Sequence, residues 1–172
     1  ERFSLQTELD LTAVGKAFYK THPDSYDQLV MYTNFAWELG NNDFAFEQNI
    51  KNEVRGIGLD LLDATTQFGS SGNLQSFLAM NQLAAYPDDP DKIFLGTNSA
   101  VNLLAHESGH RWLAYVHLGP NKTTDLLGRD DQHWNFYFNS QASVMEGNEI
   151  QDNGDGGFTT TAATARYSTL DQ

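Results

Sequence analysis

The stretch from Asn98 to Pro120, NSAVNLLAHESGHRWLAYVHLGP, leaves the chain fewer options than any other. Asn98 or Ser99 supplies an N-cap, apolar residues recur at helical spacing in AVNLLA, and Gly119-Pro120 is a conventional helix stop. A helix is therefore expected to span the segment, carrying His106, His110 and His117. Four residues advance a helix by about 400°, so His106 and His110 project from one face a turn apart, close enough for both imidazoles to reach one ion.

Glu107 stands beside these histidines in the pattern H-E-x-x-H. A zinc ion on three protein ligands keeps a position open for water, lowers the pKa of that water, and needs a nearby base to take its proton. The spacing assigns His106 and His110 to Zn2+ and Glu107 to the base. The competing reading is a surface helix with two solvated histidines.

The rest of the chain bounds what surrounds the motif. With 172 residues, 40% of them hydrophobic, it can build one domain with its own core. There is no cysteine, so any metal must be held by histidine and carboxylate. The net charge of −13, with 10 scattered basic residues, argues against nucleic acid and anionic membranes as partners. No apolar run reaches the roughly eighteen residues of a membrane span. The start without Met and the abrupt end at Gln172 predict truncation at one or both ends of a single domain, 1–172. An acidic, cysteine-free, Asn/Gly/Thr-rich composition fits a secreted or cell-surface bacterial protein.

Apolar spacing after Asp10 predicts a helix through Leu11, Val14 and Phe18 that closes at His22-Pro23. The β-branched and aromatic run YDQLVMYTNFAW reads as a strand, and two or three further strands are expected in FAFEQNI, NEVRGIG and NLQSFLAMNQLAAYP. Beyond Pro120 the chain reads as loops with short strands. DNGDGG, from Asp152 to Gly157, lacks the carboxylate spacing of a calcium loop and reads as a hairpin turn. The acidic DDPD at Asp88 reads as a solvated loop.

With its motif on a capped helix, the chain resembles the zincin metallopeptidases. The resemblance implies an α+β fold in which a mixed β-sheet packs on the active-site helix, followed here by an irregular strand-and-loop C-terminal part. It implies hydrolysis of peptide bonds in a peptide or protein substrate, with His106 and His110 as ligands and Glu107 as general base. It also implies an upstream edge strand that pairs with an extended substrate, for which LQSFLAMNQL is the candidate. An ordinary core strand is the other reading of that segment.

The third ligand is open. The metzincin pattern H-E-x-x-H-x-x-G-x-x-H fails here, because Leu113 holds the Gly position and Val116 the final His position. On an unbroken helix His117 stands about 10 Å beyond His110, out of reach of a bond of about 2 Å. In the gluzincin branch a Glu on a second helix completes the site, which makes Glu146 an alternative, although Gly147 and Asn148 are poor helix formers. His133 in RDDQHWNFYF is the leading candidate, with Asp125, Asp130, Asp131, Glu149 and His117 behind it. Some metzincin-like enzymes insert a long segment before the third His and then place a Met under the metal, a position Met145 matches. The segment from Leu126 onward also resembles a group of secreted bacterial zincin-like proteins with a His-Trp-aromatic run and a Ser-Val-Met stretch. Tyr137 or Tyr167 is the candidate donor to the oxyanion. The alternative function is a non-catalytic binding module that keeps the scaffold with a structural or vestigial metal.

Overall fold

Asp10 begins the first helix as its side chain allows: Oδ1 accepts from the Ala13 amide at 3.1 Å, and α1 runs from Leu11 to Tyr19. The fold described here is a computed structural model, and it describes residues 9–37, 39 and 43–162. These residues form α+β structure in two compact units. The first comprises the chain up to Glu53 together with Leu61–Ala85, and the second comprises Val54–Asp60 and the chain from Tyr86 onward.

The first unit is built on a mixed sheet in the order β1-β5-β2, with β1 at Gln28–Thr33, β2 at Phe46–Asn49 and β5 at Ser76–Gln82. A short pair, β3 (Lys51–Asn52) and β4 (Leu62–Asp63), lies beside it in sequence. β5 is parallel to β1 and antiparallel to β2, and its first five residues, SFLAM, are all buried. A strand buried on both faces reads as a continuous apolar run, as this one does. From Ser76 to Ala79 both of its edges are taken, so the expectation that this segment offers an edge to substrate fails, and the core-strand reading holds. Leu11, Ile50, Phe68, Leu74 and Phe77 form the core of this unit.

The second unit holds the motif helix, α2, at Ala100–Gly109, and a second small mixed sheet. Its strands are β6 (Trp134–Asn139), β7 (Glu146–Asp152) and β8 (Phe158–Ala162). β6 is parallel to β7, and β7 is antiparallel to β8 across the turn at DNGDGG. That turn is closed locally: Asp152 and Asp155 side chains accept from the Gly154 and Gly157 amides, each at 2.8 Å. The predicted hairpin is therefore present. Ala105 of α2 shares a core with Ala114, Leu127, Trp134, Val144 and Met145. No helix among the described residues is long and apolar enough to cross a membrane.

α2 is shorter than the sequence predicts. Ser99 caps it, its hydroxyl accepting from the Asn102 amide at 3.2 Å, but the helix ends at Gly109 instead of Gly119. The Arg111 and Trp112 amides turn back to the Ser108 and Gly109 carbonyls, at 3.2 and 2.9 Å, which tightens the last turn. The Tyr115 hydroxyl then donates to the His110 carbonyl. Partners for these terminal carbonyls come from residues that periodicity alone would keep in the helix.

Candidate metal centre

The last turn of α2 carries His106, its C-cap residue is His110, and the turn between β6 and β7 lies against both. A Cβ added at Gly109 would stand 2.5 Å from Met145 Sδ, so the glycine lets the fully buried methionine lie directly against the turn that leads to His110. Next to Met145, the Val144 carbonyl accepts a hydrogen bond from His106 Nδ1 at 2.6 Å. A carbonyl can only accept, so Nδ1 carries the proton and Nε2 keeps its lone pair.

His133 arrives from the opposite direction. A short 3-10 turn at Arg129–Asp131 precedes it, and β6 starts at the next residue, Trp134. Its Nδ1 donates to the Arg129 carbonyl at 2.9 Å, which again leaves Nε2 with the lone pair. Asp130 and Asp131 take φ of 58° and 55°, and Glu146, at the start of β7, takes 74°. Non-glycine residues in the left-handed region cost free energy, and here they sit in the two turns that flank the histidine.

The three imidazoles face one another in a near-equilateral arrangement. Ring centroids of the pairs His106–His110, His106–His133 and His110–His133 are 4.8, 5.1 and 4.8 Å apart. His106 Nε2 is 3.3 Å from His110 Nε2 and 3.2 Å from His133 Nε2. Two nitrogens bound tetrahedrally at about 2.0–2.1 Å from one ion lie about 3.3 Å apart, so this spacing fits a metal of zinc's size. His110 and His133 are buried and His106 is half-buried. Among the described residues these three form the group of ligand-type side chains able to hold a metal ion.

Burial also keeps the site neutral. It pushes the His106 imidazole below its ordinary value, and it pushes His110 to about 2, with His106 and His133 adding to the shift. His133 is lowered as well, chiefly by burial, while the Glu146 carboxylate works against the shift. A metal ligand must be deprotonated, so the environment that disfavours imidazolium favours coordination.

No protein-family model, curated protein or solved structure matches the chain.

Glu107 is buried on α2, one residue from His106. Glu146 lies outside the three-histidine group and pairs with Arg129, its Oε1 at 2.8 Å from Nη2. His117 is exposed and lies outside the three-histidine group, because the chain leaves the helix at Gly109 and does not continue as the unbroken helix expected from the sequence. Asp125 accepts from the Thr123 hydroxyl at 2.9 Å, and Asp130 and Asp131 are exposed on the turn before His133. Glu149 lies in β7, outside the group as well. Tyr137 is 82% exposed on β6, and Tyr167 lies outside the described residues.

Sequence reading missed Arg129. It stands four residues before His133, and its Nη2 is 2.8 Å from His133 Nε2. The available signal was a lone basic residue in an acidic turn, next to a candidate ligand.

Proposed function

We propose that this chain is a zinc-dependent peptidase of the zincin kind, with His106, His110 and His133 holding the ion and Glu107 acting as general base. The observation that carries the reading is the convergence of three Nε2 atoms, two of them from H-E-x-x-H, at the spacing of ligands on one small cation. Three neutral imidazoles suit zinc among the common divalent ions, which calcium and magnesium, with their preference for oxygen, do not. When bound, the ion supplies Lewis-acid polarisation of the scissile carbonyl and acidifies water.

The chain's own residues do the rest. Glu107 accepts the proton of the attacking water and hands it to the departing amine, a shuttle that general-base catalysis requires of a carboxylate within reach of both. The Val144 and Arg129 carbonyls fix the tautomers of His106 and His133, so their lone pairs stay aimed at one point. Met145 supports the turn from below, and we place the chain, as an acidic and cysteine-free protein, outside a bacterial cell.

The test is hydrolysis of a quenched peptide library by zinc-loaded protein and by Glu107→Ala. The wild type should cleave, and the variant should keep its zinc and lose cleavage by a factor of about 10² or more. Cleavage retained by Glu107→Ala overturns the mechanism. A wild type that binds zinc and cleaves nothing returns the non-catalytic module.

A further inference from the structure

Arg129 holds His133 at both ring nitrogens. Its backbone carbonyl accepts from Nδ1 at 2.9 Å, and its guanidinium Nη2 stands 2.8 Å from Nε2. The same Nη2 donates to Glu146 Oε1 at 2.8 Å, and Nη1 lies 3.7 Å from Asp130 Oδ2. With Nδ1 protonated, Nε2 is an acceptor, and the guanidinium, which has donors only, is its matching partner. Yet Nε2 is also the atom that faces His106 Nε2 at 3.2 Å. One lone pair can serve a guanidinium N–H or a metal ion, never both.

We propose that Arg129 is a placeholder for the metal. Its guanidinium occupies the His133 lone pair that faces the other imidazoles, and metal uptake exchanges it for the ion and leaves it to Glu146, to which it is already bonded. The proposal rests on the metal reading above and adds a second site determinant, the Arg129–Glu146 pair. Three features favour it over an incidental surface contact. The backbone contact at Nδ1 orients the ring independently, so losing the side chain leaves the histidine in place. Arg129 is about half exposed and can swing aside without unfolding anything, while Glu146, less exposed, provides the anchor. Finally, a cation beside a dication is repelled, so exchange is favoured by the carboxylate and opposed by the arginine.

The two residues must then act on metal affinity in opposite directions. Arg129 stabilises the metal-free site, and its removal should tighten binding. Glu146 receives the displaced guanidinium, and its neutralisation should weaken binding. A charge-assisted hydrogen bond to a ligand atom corresponds to about tenfold or more in affinity. A structural role for Arg129 predicts the reverse, with a loosened His133 and a weaker site.

The experiment is competition titration of the full chain, stripped with chelator, using Zn2+ against a chromophoric chelator of known affinity. Arg129→Ala and Arg129→Met, which lack a donor at different lengths, should each bind Zn2+ about tenfold tighter than the wild type. Glu146→Gln should bind it several-fold more weakly. Equal or weaker binding by both Arg129 variants, with unchanged circular dichroism, overturns the proposal. If the wild type binds no Zn2+ at all, it is the metal reading that fails, so the two failures are distinguishable.

Discussion

His106 Nδ1 donates to the Val144 carbonyl at 2.6 Å, so a residue 38 positions later in the chain decides which nitrogen of a motif histidine faces the site. The orientation of the motif thus depends on the turn that also buries Met145. Removing the Met145 side chain should leave a cavity under Gly109 and cost about 2–5 kcal/mol of stability. Met145→Ala should also weaken zinc binding about 10–100-fold, as loss of an outer support does. Denaturant unfolding and zinc titration of one variant measure both effects. Full stability in Met145→Ala would show that the methionine does not support the turn.

His133 and His117 both follow the motif, and only His133 meets it in space. His133→Ala should lower zinc affinity beyond the 10–100-fold that outer partners command, because a direct ligand is lost. His117→Ala, an exposed change, should leave both affinity and stoichiometry as they are. Elemental analysis after dialysis separates the two, and equal zinc content in them would contradict the assignment of His133.

Acid should destabilise the metal-free protein well above the carboxylate range. The His110 imidazole is held at about 2 by burial, whereas in the unfolded chain it titrates near 6.5. The folded state therefore binds fewer protons, its stability is complete above pH 6.5, and it falls as pH drops toward the folded value. His110 alone should cost on the order of 2 kcal/mol between pH 7 and pH 5. A denaturation midpoint flat over that interval contradicts the burial of a neutral histidine.

In the first unit, Asp24 ties down a distant turn. Its Oδ2 accepts from the Ser70 hydroxyl at 2.9 Å and from the Ser71 and Asn73 amides at 2.6 and 3.3 Å. Burial raises its pKa, but these bonds outweigh it and hold the carboxyl below the usual range. Asp24→Ala should cost about 1–3 kcal/mol by leaving those donors without their acceptor. Thermal unfolding reads it, and an unshifted transition would rule the clamp out.

Local signals were legible where local chemistry decides. Asp10 and Ser99 cap helices as their side chains predict, and DNGDGG turns a hairpin because its aspartates bond amides two residues on. Tertiary decisions were not legible. Nothing in RWLAYV announces that α2 stops at Gly109; the stop rests on amides that turn back within the last turn and on the Tyr115 hydroxyl. Nor does an apolar run reveal whether a strand lies at the edge of a sheet or, like Ser76–Gln82, in its middle. At the site, the spacing of His106 and His110 announced itself through helix geometry. His133 could be named as a candidate but not placed, because its approach depends on the turn at Arg129–Asp131 and its three left-handed or tightened residues.

Whether three imidazoles share one ion is read by zinc K-edge absorption of the zinc-loaded chain. One zinc per chain with three imidazole ligands at about 2.0 Å is expected, falling to two in His133→Ala. A wild-type spectrum with two imidazoles or fewer, or a protein that retains no zinc, would contradict the shared ion.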